Sequence, residues 1–171
     1  KEFLSTNVNA IKAVLDFLKK YKEKNIKIIG LPVVGLIDDA FNNFDYFQLE
    51  KNYENVKLVS LKKDDFYEID IFSRDLSTQK AKVPNIVKQS DFIISIAGLK
   101  TDDSVILSMG IKNIAGFLID KPLCHNGYKS INLSLAKVLE AIKPDLSIID
   151  ATFGLEGDAP FSVDMVNLNI T

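Results

Sequence analysis

Residues 90–101 read Ser-Asp-Phe-Ile-Ile-Ser-Ile-Ala-Gly-Leu-Lys-Thr, and residues 144–150 read Pro-Asp-Leu-Ser-Ile-Ile-Asp. Each holds a short, almost unbroken apolar run, at 92–96 and at 146–149, closing on polar residues. Strands covered by helices on both faces read this way, and such strands are usually parallel. Between them, Ile131, Leu135, Val138, Leu139 and Ile142 fall on one stripe of residues 129–142, which predicts an amphipathic helix ended by Pro144. Upstream, Ser5, Thr6 and Asn7 precede a helical spacing of Val8, Ile11, Leu15 and Leu18. Residues 26–30 and 56–61 read as strands, and residues 37–46 as a helix. Glu68 and Asp70 alternate with Tyr67, Ile69 and Ile71, which suits an exposed edge strand over 66–72. Residues 83–88 read as a short helix, and 104–119 as short helices and turns.

Helix and strand thus alternate along most of the chain. That order predicts an α/β fold with three layers: a mostly parallel sheet with helices on both faces, Rossmann-like in a non-standard form. In such sheets ligands bind beyond the carboxyl ends of the strands. The loops expected at 31–35, 97–103 and 150–160 would meet there.

The chain has 171 residues, 47% apolar and 26% charged, with a net charge of −2. Length and balance fit one globular domain spanning 1–171. No field of one sign points to nucleic acid or to an anionic membrane, and no apolar run approaches the roughly 20 residues of a spanning helix. The single cysteine, Cys124, rules out an internal disulfide and points to a reducing, cytoplasmic setting. One cysteine and one histidine cannot supply a structural zinc or an iron–sulfur cluster, so neither is expected in this chain. The chain opens without Met and stops in an apolar segment, so truncation at both ends is expected.

Polar residues in these loops carry the candidate chemistry. Lys100 and Thr101, followed by Asp102 and Asp103, suit a phosphate or carboxylate ligand. Lys112 and Asn113 interrupt an apolar stretch. A lysine there pairs with an acid, snorkels to water or does chemistry, and Asp150 and Glu156 are its expected partners. His125 could be a base, a metal ligand or a loop hydrogen-bonder. Asp150 closes a buried strand, and Glu156 and Gly157 follow in a loop freed by glycine. There is no glycine-rich dinucleotide or P-loop motif.

Four ordered blocks resemble the family catalogued as domain of unknown function 362. "SDFIISIAGLKT" resembles its strand and basic loop, matched at Leu99, Lys100 and Thr101, with Gly98 standing where lysine is common and Asp102 where histidine is common. "IKNIAGF" resembles its Lys-Asn-x-x-Gly block at Lys112, Asn113 and Gly116. His125 falls where the family usually has histidine. "PDLSIIDATFGLEGDAP" is similar to its final block at Asp150, Glu156, Gly157 and Pro160. Many members occur with ferredoxin-type modules, so the resemblance implies a redox context and no particular reaction.

Two functional expectations follow. In one, a small anionic ligand or substrate binds at the carboxyl edge. Lys100, Thr101, Asn113, Glu156 and Gly157 would hold it, and Lys112, His125 and Asp150 would do any chemistry. In the other, the chain is a non-catalytic partner of a ferredoxin-type iron–sulfur protein. The cofactor is left open, and no nucleic-acid or membrane partner is expected.

Overall fold

The computed structural model describes residues 5–21, 25–30, 41–61, 65–119, 127–158 and 162–168. The chain divides into two compact units, residues 1–61 and 62–171.

In the first unit, helix α1 (Val8–Leu18) starts where Asn7 caps it, its side chain accepting from the Asn9 N–H at 2.9 Å. Such a cap satisfies a donor that the first turn leaves without a partner. Ile11 and Leu15, one turn apart, are buried. Strand β1 (Ile26–Ile29) pairs in parallel with β2 (Val56–Val59). Helix α2 (Phe47–Asn52) precedes β2, and its Glu50 carboxylate accepts from the Leu58 N–H at 2.7 Å. The Tyr53 hydroxyl donates to Asp16 at 2.7 Å and the Tyr46 hydroxyl to the Thr6 carbonyl at 2.5 Å, tying these elements to α1 and its approach. Of the helix expected over 37–46, residues 41–43 are helical, and residues 31–40 lie outside the described residues.

The second unit opens with a hairpin of β3 (Phe66–Phe72) and β4 (Thr78–Pro84). On one face Glu68 faces Lys82 and Asp70 faces Lys80, the latter pair 2.7 Å apart. On the other, Ile71, Ala81 and Val83 join Val87, Ile114, Leu118, Val138 and Ile142 in one buried core. Helix α4 (Tyr128–Ile142) supplies Val138 and Ile142, so its predicted apolar stripe is the buried one. Its Ser134, fully buried, accepts from the Phe72 N–H at 3.0 Å and lies 3.2 Å from the Phe72 carbonyl. That clasp serves the backbone of β3 where the hairpin ladder ends. Residues 83–84 belong to β4, and only 85–87 form a short 3-10 turn.

A four-stranded sheet completes the unit in the order β6-β5-β7-β8, with β5 at Ile94–Asp102, β6 at Ile106–Ser108, β7 at Leu146–Asp158 and β8 at Ser162–Asn167. The β5–β7 pair is parallel, as the two apolar runs predict, and α4 lies in its crossover. The β5–β6 and β7–β8 pairs are antiparallel. Three residues join each of those pairs, which permits a hairpin but not the dozen-residue crossover of a parallel pair. The fold is therefore mixed α/β, with strands of both pairing types.

Two expected loops are corrected. Residues 97–102 continue β5, and residues 150–158 continue β7. Their polar side chains do not end the strands, because β6 and β8 supply new backbone partners there. No helix of the described residues is long and apolar enough to cross a membrane.

Candidate functional site

Lys100 sits near the carboxyl end of β5, with Ser108 of β6 and Leu155 of β7 as its partners in register. Residues in register share a face of the sheet. The Lys100 stem is therefore flanked by two side chains that are 8% and 5% exposed. Alternation along β5 puts Asp102 on the same side as Lys100 and Thr101 on the other.

The chain then turns back through residues 103–105. Asp102 Oδ1 accepts from the Ser104 N–H at 2.9 Å, an Asx-type turn that aims β6 antiparallel to β5. Helix α3 (Gly110–Ile114) follows, and the Lys112 ammonium donates to Asp102 Oδ2. The side chains of Lys112 and Asp102 are 30% and 11% exposed. Lys112 is thus paired, as an embedded lysine should be, but with Asp102 rather than with the expected Asp150 or Glu156. The acid ten residues before it is brought close by the β5–β6 hairpin.

Lys112 therefore pairs with an acid that shares a face of β5 with Lys100. Burial pushes the Lys100 pKa down, the charge on Lys112 pushes it further, and Asp102 opposes them. Asp103 adds a second carboxylate at the turn, bonded to the Ser104 hydroxyl at 3.2 Å. A shallow, open depression beside the turn is lined by Thr101, Asp102, Asp103, Ile106 and Gly157. Ile106 stands there with φ 69° and 66% of its surface exposed. A β-branched residue in the left-handed region is strained.

The remaining candidates have identifiable structural partners. Thr101 Oγ1 lies 3.0 Å from the Gly157 carbonyl and 3.3 Å from that of Leu155, fastening β5 to β7. Asn113 Nδ2 donates to Ser95 Oγ at 3.0 Å and to the Ile96 carbonyl at 3.3 Å, holding α3 on β5. Asp150 is in register with Gly98, and its Oδ1 accepts from the Thr152 N–H at 3.1 Å where β7 bulges away from β5. Glu156 is exposed and stands opposite Asp164 of β8. Gly157 has φ 110°, a conformation that disfavours any side chain. Cys124 and His125 lie outside the described residues.

The structure thus pairs Lys112 with Asp102, on the face of β5 that carries Lys100, and Asp102 is a residue that sequence reasoning did not name as the partner of Lys112. The Asp-Asp-Ser turn signal after Lys100 could have found it, since such a turn reverses the chain. Among the described residues, no group of three or more His, Cys, Asp or Glu is placed to hold a metal ion.

A family model described as "Domain of unknown function (DUF362)" matches residues 1–171, the whole chain. No curated protein and no solved structure matches it.

Proposed function

The chain belongs to the family of domain of unknown function 362, and on that premise we propose that Lys100 and Lys112 bind the anionic group of a small molecule at the carboxyl end of β5. The observation that supports this reading is that the Lys112 ammonium pairs with Asp102, which shares a face of β5 with Lys100, the residue two positions earlier. Lys100 and Lys112 repel each other in a setting that weakens solvent screening. An anion placed between them relieves that repulsion and strengthens both contacts. Lys112 uses one of its three N–H donors on Asp102, so two stay available for a ligand. The position is also where ligands sit beside parallel strand pairs.

The test is a melting series on the whole chain with acetate, pyruvate, inorganic phosphate and chloride. The proposal expects one or more of the oxyanions to raise the melting temperature saturably, and Lys100→Met and Lys112→Met each to abolish that rise. A rise that survives both substitutions overturns it, as does no rise with any anion.

A further inference from the structure

We propose that strand β8 is a docking edge, to which an extended, lysine-bearing segment of a partner protein adds as a further strand, with a lysine set against Glu156 and Asp164. This goes beyond the anion site and does not depend on it.

Strand β8 ends the order β6-β5-β7-β8, so among the described strands it has a neighbour on one side only. Its residues read Ser-Val-Asp-Met-Val-Asn, and they pair with β7 without a break in register from Asp158 and Ser162 to Phe153 and Asn167. A strand at the end of a sheet turns a row of backbone donors and acceptors outward. Proteins usually blunt such an edge with lysine, proline, a bulge or a very short strand. The opposite edge is blunted in this way, since β6 has 3 residues and opens on the strained Ile106. Strand β8 carries no lysine and no proline, and no bulge interrupts its pairing.

The side chains say what this edge receives. Glu156 and Asp164 stand opposite each other in register, and both are exposed. Like charges directly opposite one another destabilise a sheet. A lysine on an added strand, opposite Asp164, shares a face with both acids and sets an attraction against that repulsion. On the other face Leu155 is buried, while its partner Met165 is 49% exposed. Neighbours along a strand alternate between faces, so the residue next to that lysine meets Met165 and is best apolar. Main-chain hydrogen bonds hold such a segment and its alternating side chains select it. A second copy of this chain is the poorer occupant. Joined edge to edge about a two-fold axis, it would bring Glu156 and Asp164 of both copies onto one face. A small cation would answer the carboxylates and leave the backbone edge unused.

The experiment titrates the whole chain, at low salt, into a fluorescently labelled peptide Thr-Val-Lys-Val-Lys-Val-Thr, with anisotropy reporting binding and hydrogen exchange locating it. The expected result is saturable binding with slowed exchange at the β8 amides. The same peptide with glutamate in place of both lysines should bind about tenfold more weakly or worse. A peptide with proline for the central valine should not bind, because proline cannot donate to a ladder. Asp164→Lys pairs with Glu156 across β7 and β8, so this variant keeps the fold, and it should reverse the preference between the lysine and glutamate peptides. Equal binding of those two peptides overturns the proposal, as does undiminished binding of the proline peptide, slowed exchange that spares β8, or no saturable binding. A dimer that forms without peptide and protects the β8 amides overturns it in favour of a second copy.

Discussion

The Lys112 ammonium of α3 donates to the Asp102 carboxylate at the end of β5, across the turn that begins β6. That contact closes a local unit of strand, turn, strand and helix, and Asp102 also accepts from the Ser104 N–H within it. Removing Asp102 therefore takes this acceptor from the Lys112 ammonium and from the Ser104 N–H. Asp102→Ala should cost roughly 1–3 kcal/mol. Lys112→Met should cost less, since it keeps the length of the apolar stem. Urea unfolding of Asp102→Asn, Lys112→Met and the double variant should show less than additive loss. Strict additivity would dissolve the pair.

Ile106 predicts a gain. It holds φ 69° with two-thirds of its surface exposed, so its side chain returns little burial for the strain. Ile106→Asn should stabilise the second unit by about 1 kcal/mol, the usual penalty of a left-handed residue with a branched side chain. Chemical denaturation reads this directly, and a destabilised variant would show that the Ile106 side chain packs more than its exposure indicates.

Lys100 makes stability depend on pH. Its folded pKa lies below the ordinary 10.5, so below that value the unfolded chain binds the extra proton and the lysine opposes folding. Stability should rise with pH through the window from the folded pKa up to 10.5, then level off. Lys100→Met should be the more stable protein at neutral pH, with an advantage that shrinks as pH climbs through that window. An advantage that grows with pH would reverse the sign assigned here.

Tyr46 works the opposite way in the first unit. Burial raises its pKa from 10.0 to about 12, and its hydroxyl donates to the Thr6 carbonyl at 2.5 Å. Between pH 10 and about 12 the folded chain keeps a proton that the unfolded chain loses, so stability falls across that range. Tyr46→Phe should flatten this loss in an alkaline denaturation series. An unchanged slope would place the loss elsewhere.

Ser134 tests the packing of α4 on the hairpin. With no exposed surface, it serves both the N–H and the carbonyl of Phe72. Ser134→Ala removes one buried hydrogen-bond partner of the Phe72 backbone, whose carbonyl keeps the Gln79 Nε2 donor, and should cost about 1 kcal/mol. Hydrogen exchange at the Phe72 amide should speed up in step.

Much of the second unit was legible where apolar residues repeat. The stripe of Ile131, Leu135, Val138 and Ile142 marked α4, and the runs at 92–96 and 146–149 marked a parallel pair. The ends of those strands were not, because Lys100, Thr101 and Asp102 are polar and read as a loop. They stay extended through pairing with β6, which no local period reports. Strand β4 escaped for a related reason: Thr78, Gln79 and Lys80 resemble a polar turn. Its signal was complementarity, since Lys80 and Lys82 match Asp70 and Glu68 across the hairpin. For the site, the types and positions of Lys100 and Lys112 were readable. The acid that pairs with Lys112 was not, because the direction in which the chain leaves β5 decides which acid lies near.

The most direct test of the anion site follows the lysine side-chain nitrogens themselves by NMR, on the isotopically labelled whole chain titrated with pyruvate or phosphate. The account predicts saturable shifts of the Lys100 and Lys112 Nζ signals at a common affinity, with Lys19, Lys80 and Lys137 unmoved. Equal drift of all lysines with ionic strength, or saturable shifts that spare Lys100 and Lys112, would contradict it.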